Sequence, residues 1–279
     1  MITIISGAPG AGKSSLNTYF LKQAYFEHGR TMLESCTSKI AELNKTRLNP
    51  LTLPDKPPIF SDYKVKFRVG YEEFFEPYYI NGYYLGLAND RMATQFLPPY
   101  SKVFLGEAQR YYNSRQSANF PDFVSRLYEM HRHYHLDIFM DVQRVMLIDP
   151  NIRALCRHFI EVQGMENTLN DVGEIIKTVW HCREFPNWTA YENYLNTGAE
   201  TYTNTAYTHE GNIFHCFDSF GYFDMFLPKE GQDFSYLNFV NRAELAKLPD
   251  DKAQFYKSGE PEGYRKKATN NERKNGRTA

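Results

Sequence analysis

Eight residues near the start of the chain have the types and spacing that hold the phosphates of a nucleotide. Residues 7–14 read GAPGAGKS and fit the pattern GxxxxGK[S/T] at every fixed position. Glycines let backbone N–H groups converge on phosphate oxygens, Lys13 can reach the terminal phosphates, and the Ser14 hydroxyl can bind Mg²⁺. The segment predicts that ATP and Mg²⁺ bind through Gly7, Ala8, Pro9, Gly10, Ala11, Gly12, Lys13, Ser14 and Ser15.

A second candidate site follows a short apolar run later in the chain. Residues 103–105 are Val-Phe-Leu and lead directly into Gly106 and Glu107. In the additional-strand catalytic glutamate class of P-loop ATPases, such a strand ends in Asp-Glu. The aspartate there supports Mg²⁺, and the glutamate activates the attacking water as a general base. Glu107 is therefore the predicted base, whereas Gly106 has no carboxylate to offer.

The glycine at position 106 leaves three interpretations open. Ser14, the phosphates and water can hold Mg²⁺ without a further carboxylate. Alternatively, Asp141 supplies that carboxylate, since it lies at the end of another apolar run, LDIFMDV at 136–142. In the third interpretation hydrolysis is weak, and the chain mainly binds nucleotide.

The elements that must position these residues alternate between strand and helix patterns. Apolar or β-branched runs predict strands at 2–6, 58–67, 102–105, 136–142, 158–163 and 173–184. Helical spacing predicts helices from Lys13 to near Gly29, over 31–46, over 120–134 and at 148–154. This alternation indicates an α/β fold with a parallel sheet up to about residue 184. Together with the phosphate loop, the expected fold is that of a P-loop NTPase with a RecA-type sheet.

Composition changes divide the chain into three predicted segments. Residues 1–184 form the nucleotide-binding domain. Residues 185–245 are aromatic and turn-rich and are predicted to be a small β-rich extension packed on it. Residues 246–279 are polar, and their end, 265–277, has six basic residues against Glu272, which predicts a disordered basic tail. Either solvation or a contact with nucleic acid or an anionic membrane is compatible with this tail.

The overall composition excludes several classes of protein. The net charge of −1 means that attraction to DNA must come from a local patch. The four cysteines are widely spaced, so neither a disulfide framework nor a zinc site is expected. No run of about 18 apolar residues predicts a membrane-spanning helix, and no secretory signal is expected from the residues after Met1. A cytoplasmic location is therefore expected.

Several motifs together resemble the zonular occludens toxin-like (Zot-like) ATPases of filamentous phages. They are GAPGAGKS at 7–14, LGEAQRYYNSR at 105–115, HRHYHLDIFMDVQ at 131–143 and IDPNIRAL at 148–155. Their order and spacing resemble that family over about residues 1–185. Two departures are Gly106, where the family has aspartate, and Asp141, near the usual threonine. Filamentous-phage members usually have a transmembrane helix after the ATPase domain, which is not predicted here.

The resemblance implies roles for two further residues. Gln143 resembles the polar sensor that reads the γ-phosphate from the end of an additional strand inserted beside the phosphate-loop strand. Arg153 is a candidate arginine finger acting across a subunit boundary. The resemblance also implies a homo-oligomer, with a hexamer as the expected form, that works on phage DNA. Its other expected partners are phage assembly proteins or proteins of the host inner membrane, which would recruit it peripherally.

Three functions are compatible with the sequence. The first is a motor that couples ATP hydrolysis to virion assembly, export, or DNA translocation and packaging. The second is a nucleotide-binding assembly or scaffold protein with little turnover, as Gly106 suggests. The third is a small-molecule kinase, which the absence of an arginine-rich lid segment and the hydrolase-like placing of Glu107 and Gln143 disfavour.

Overall fold

The computed structural model describes residues 1–46, 50–80, 97–115 and 127–218. The predicted basic tail and the last part of the predicted extension, 219–245, lie outside these residues, as does most of the predicted helix at 120–134. Residues 127–130 of that helix are described and are helical.

Besides the helical residues 127–130, the described residues contain three α-helices and twelve strands. The helices are α1 (Lys13–Asn44), α2 (Pro150–Leu155) and α3 (Trp188–Thr197). The strands are β1 (Ile2–Gly7), β2 (Ile59–Ser61), β3 (Lys64–Val65), β4 (Phe67–Arg68), β5 (Phe74–Phe75), β6 (Tyr78–Tyr79), β7 (Lys102–Leu105), β8 (Asp137–Val142), β9 (His158–Leu169), β10 (Ile175–Phe185), β11 (Thr203–Glu210) and β12 (Phe217–Asp218).

Eight of these strands form one sheet in the order β11-β10-β9-β1-β8-β7-β2-β6. Strands β9, β1, β8, β7, β2 and β6 are parallel to their neighbours within that group. Strand β8 lies between β1, which leads into the glycine loop, and β7, which leads into Gly106. This is the predicted additional strand. The fold is therefore an α/β P-loop NTPase fold.

The parallel part of the sheet ends earlier than the sequence predicted. Strand β10 is antiparallel to both β9 and β11, so the prediction of parallel pairing up to residue 184 was wrong for this strand. The reason is a tight connection between β9 and β10. Asn170 accepts hydrogen bonds from the backbone N–H groups of Val172 and Glu174 at 3.1 and 2.8 Å, which closes a hairpin. A hairpin makes its two strands antiparallel.

Helix α1 is longer than the predicted helix that ends near Gly29. It continues unbroken to Asn44. A Cβ atom at Gly29 would lie 3.2 Å from Cγ of Pro57, so this glycine allows close packing of the helix against the loop before β2. It was misread as a stop signal.

The predicted strand at 58–67 is interrupted after Ser61. The Ser61 hydroxyl donates to the carbonyl of Tyr63 at 2.7 Å, which turns the chain out of the main sheet. The following strands β3 and β4 pair instead with β12 and β5. This turn leaves Asp62 at the end of β2, next to β7.

The core lies on both faces of the main sheet because side chains alternate along each strand. Ile4, Leu105 and Met140 belong to a cluster on one face, where α3 also packs. Ile5 and Phe104 lie on the other face, which α1 covers. In the described part of the chain no helix has the length and apolar character needed to cross a membrane.

Candidate nucleotide site

Two glycines in the loop between β1 and α1 combine a positive φ with close packing against neighbouring strands. Gly7 and Gly12 have φ angles of +157° and +96°. A Cβ at Gly7 would lie 2.7 Å from the Val162 carbonyl oxygen, and one at Gly12 would lie 2.9 Å from Sδ of Met165. The glycines at these positions thus let the loop approach β9 and β10 closely, in addition to any role toward phosphate.

The start of α1 is held by its own side chains and by β10. The Ser15 hydroxyl donates to the Gly12 carbonyl at 2.8 Å and accepts from the Trp180 indole N–H at 3.0 Å. Lys13 is 6% exposed, and its Nζ donates to the Ala8 carbonyl at 3.0 Å. The lysine therefore already lies across the loop, in reach of the groups that a phosphate would contact.

Glu107 is the second residue after the end of β7 and has an unusual backbone conformation. Its φ of 49° and ψ of 47° place a non-glycine residue in the left-handed region. Its N–H donates to Oδ1 of Asp141 at 2.7 Å, and its Oε2 accepts a bond from the Gln109 side-chain amide. The structure thus brings Glu107 and Asp141 together.

Asp141 is fully buried at the point where β8 passes the glycine loop. Its register partner on β1 is Ile5. Burial raises the pKa of Asp141 to about 6, and the charge of Glu107 also raises it. The hydrogen bond from the Glu107 N–H, the Ser14 hydroxyl and the Lys13 charge act in the opposite direction and lower this pKa. Its Oδ2 has no hydrogen-bond partner among the described residues. A buried carboxylate oxygen without a partner, beside Ser14, fits a Mg²⁺ shell.

Magnesium characteristically needs few protein ligands, because it keeps several waters and binds substrate phosphates. Within the described ranges no group of three or more His, Cys, Asp or Glu side chains could hold a metal ion. Ser14 and Asp141 are the two residues at this site that fit such a shell.

Asp62 is a site residue that the sequence analysis missed. Its Oδ1 accepts a 2.7 Å hydrogen bond from the N–H of Gly106. Burial raises the pKa of Asp62 to about 7, although the Gly106 N–H bond and the charge of Arg110 lower it. Nη2 of Arg110 lies 3.9 Å from Oδ2 of Asp62. The two aspartates stand on opposite sides of the end of β7. In the sequence, the only signal of this role is an aspartate two residues after the apolar pair at 59–60.

The two remaining predicted site residues, Gln143 and Arg153, differ in how exposed they are. Gln143 is exposed and follows β8, the neighbour of β1, as a sensor at a strand end requires. Arg153 is 7% exposed, and its guanidinium lies 4.5 Å from the ring centre of Trp188. A finger role for Arg153 would require it to leave this ring, and that role stays a prediction.

One segment of the chain matches a known protein family. The family model described as zonular occludens toxin (Zot) matches residues 88–184. Residues 88–184 of this chain are Zot-like. The match includes Glu107, Asp141, Gln143 and Arg153 and leaves out the glycine loop. No curated protein sequence matches the chain.

Three solved structures are similar to the chain at low identity. The N-terminal domain of zonular occludens toxin from Neisseria meningitidis is 19% identical with a TM-score of 0.43, over 78% of this chain and 98% of that one. The genome packaging NTPase B204 from Sulfolobus turreted icosahedral virus 2, in complex with ATP-gammaS, is 12% identical with a TM-score of 0.36, over 76% and 97%. B204, the DNA-packaging ATPase from Sulfolobus turreted icosahedral virus, is 12% identical with a TM-score of 0.37, over 76% and 97%.

Proposed function

We propose that this chain is a Zot-like P-loop ATPase of a phage or phage-like element. In this proposal ATP binding and hydrolysis drive virion assembly, export, or DNA translocation and packaging. The observation that carries the proposal is the buried carboxyl of Asp141. One oxygen of this carboxyl accepts a hydrogen bond from the N–H of Glu107, and the other has no partner among the described residues. The carboxyl lies beside Ser14 and Lys13.

Each residue of the site has a proposed part in the chemistry. The N–H groups of the loop and Lys13 bind the phosphates, with Lys13 exchanging its bond to the Ala8 carbonyl for phosphate oxygens. Ser14 and Asp141 are the protein groups that would hold Mg²⁺, which when bound neutralises charge that develops on the transferred phosphoryl group. Glu107 accepts the proton of the attacking water. Gln143 orients that water or senses the terminal phosphate.

Turnover measured on the full chain tests this proposal. ATP hydrolysis should require Mg²⁺ and should be lost in Lys13→Ala, because the lysine charge on the phosphates is removed. Lys39→Ala is the matched control, since Lys39 lies on the same helix and is exposed at the surface in an ion pair with Glu42. Mg²⁺-independent turnover, or full turnover in Lys13→Ala, would contradict the proposal.

The motor role predicts two further properties of the protein. Single-stranded or double-stranded DNA should stimulate hydrolysis, and ATP should promote a homo-oligomer, with a hexamer expected, in sedimentation velocity. If the basic tail contacts DNA, truncation after Tyr264 should weaken DNA binding and flatten its dependence on salt. Unchanged affinity and salt dependence would place the DNA contact elsewhere on the chain.

A second candidate function is a nucleotide-binding assembly protein with little turnover. Two observations favour it: Gly106 lacks the carboxylate of the strand end, and the Glu107 carboxylate already accepts a bond from Gln109. This function predicts ATP binding that Lys13→Ala abolishes, together with hydrolysis that DNA does not stimulate.

A further inference from the structure

Two buried aspartates hold consecutive backbone N–H groups at the end of β7. Asp62 accepts from Gly106 and Asp141 accepts from Glu107, each at 2.7 Å. Asp62 directly follows β2 and Asp141 lies in β8, and these are the strands on either side of β7. The peptide that carries the candidate base is therefore held from both neighbouring strands.

The carbonyl groups of the same two residues are held by one side chain. Arg110 donates to the Gly106 carbonyl through Nη2 at 2.9 Å and to the Glu107 carbonyl through Nε at 3.3 Å. Its Nη2 also lies 3.9 Å from Oδ2 of Asp62. A left-handed backbone at a non-glycine residue such as Glu107 is strained and persists only where the surroundings impose it. Asp62, Arg110 and Asp141 are those surroundings.

The side chain of Asp62 also lies in the space next to Gly106. A Cβ atom added at Gly106 would come within 3.7 Å of Oδ1 of Asp62 and 3.2 Å of Cδ1 of Tyr63. Tyr63 has little freedom to move because it is 3% exposed, and its hydroxyl accepts a 3.4 Å bond from Thr18 on α1. The added Cβ would be tight against Tyr63 and in ordinary contact with Asp62. An aspartate at position 106 would therefore bring a second carboxylate next to the buried carboxylate of Asp62.

We propose that Asp62 is a positioning residue that fixes the backbone of Glu107, and that it is paired with Gly106. The carboxylate that β7 lacks is supplied by Asp62, directly after the neighbouring strand β2, where it holds the Gly106 N–H and lies beside the position of a Cβ at residue 106. The catalytic part of this inference rests on the proposed ATPase function. The pairing of positions 62 and 106 does not.

The test compares Asp62→Ala, Asp62→Asn, Gly106→Asp and the double variant Asp62→Ala/Gly106→Asp in the full chain. Asp62→Ala should lower kcat at least about tenfold, because the base is no longer held in place, with KM for ATP changed less than about threefold. Asp62→Asn keeps an oxygen acceptor for the Gly106 N–H and should restore most of kcat.

Thermal unfolding of the same variants reports on the pairing without any need for turnover. Gly106→Asp should lower the melting temperature of the wild-type chain. In the Asp62→Ala background, the same substitution should lower the melting temperature by less than about half as much. Equal losses in the two backgrounds would overturn the pairing. Unchanged kcat in Asp62→Ala, or a fall in kcat that Asp62→Asn does not reverse, would overturn the positioning role. A wild-type chain that fails to hydrolyse ATP contradicts the proposed function and the positioning role together, and the unfolding comparison then decides the pairing alone.

Discussion

The backbone N–H of Glu107 donates a 2.7 Å hydrogen bond to Oδ1 of Asp141. The candidate general base, Glu107, is therefore hydrogen-bonded directly to Asp141, the candidate carboxylate ligand of Mg²⁺, although 34 residues separate them in the chain. Adjacent parallel strands bring them together, since β7 and β8 both end at this edge of the sheet. A substitution at Asp141 should consequently affect both the binding of Mg²⁺ and the position of Glu107.

Asp141→Asn separates these two effects. Asparagine keeps an oxygen that can accept from the Glu107 N–H but removes the negative charge that attracts Mg²⁺. The Mg²⁺ concentration needed for half-maximal ATP binding should rise about tenfold or more. Asp171→Asn, in the exposed turn between β9 and β10, is the control. An unchanged Mg²⁺ titration would mean that Ser14, phosphates and water hold the ion alone.

Gly12→Ala should destabilise the fold more than Gly10→Ala. Both glycines have positive φ, at +96° and +79°, so alanine is strained at either. Only at Gly12 would the new Cβ also approach Met165 and Trp180, at 2.9 and 3.0 Å, while the space at Gly10 is open. Urea unfolding should show a loss of about 2–3 kcal/mol for Gly12→Ala and about 1 kcal/mol for Gly10→Ala. Equal losses would contradict the close packing of the loop on β10.

Asp62→Asn should change how stability depends on pH. The pKa of Asp62 is raised by burial to about 7, above the value of about 3.9 for an unfolded chain. The folded state therefore binds the extra proton between these values, and this group's contribution to stability falls as pH rises from about 4 to 7. The amide cannot ionise, so the free energy of unfolding of Asp62→Asn, relative to wild type, should gain on the order of 2–4 kcal/mol between about pH 4 and pH 8. A constant difference across this range would contradict the raised pKa.

Arg153→Ala should lower stability through its contact with Trp188. The guanidinium lies 4.5 Å from the ring centre, and its Nη1 contacts Sδ of Met146 at 2.8 Å. Loss of this packing should cost about 1–2 kcal/mol. Trp188→Ala is the partner variant, and a double-mutant cycle should show coupling between the two positions. A full loss of turnover with unchanged stability would instead support the finger role predicted for Arg153.

The sequence was sufficient for the parts of the fold that depend on local signals. The strand before Gly7, the helix start at Lys13 and the strand before Gly106 follow from apolar runs and a glycine pattern with strong conformational requirements. The additional strand β8 was also placed beside β1 correctly, although this came from a family resemblance and not from periodicity.

The rest depended on contacts between distant parts of the chain. The role of Asp62 is visible only once β2 pairs with β7, because 44 residues separate it from Gly106. Gly29 has the appearance of a helix stop in the sequence, yet the neighbouring Pro57 makes it a packing position inside α1. The hairpin between β9 and β10 depends on side-chain bonds of Asn170, which strand patterns do not reveal.

Single-turnover hydrolysis by Glu107→Gln tests the central claim most directly. Glutamine preserves the size of the side chain and leaves the backbone bond to Asp141 in place, but it cannot accept the proton of water. ATP should bind with a Kd within about threefold of wild type, while the hydrolysis rate falls about 10²-fold or more. Glu129→Gln, at an exposed position, should match wild type in both measurements. Hydrolysis at the wild-type rate in Glu107→Gln would show that another group is the base and would contradict the account.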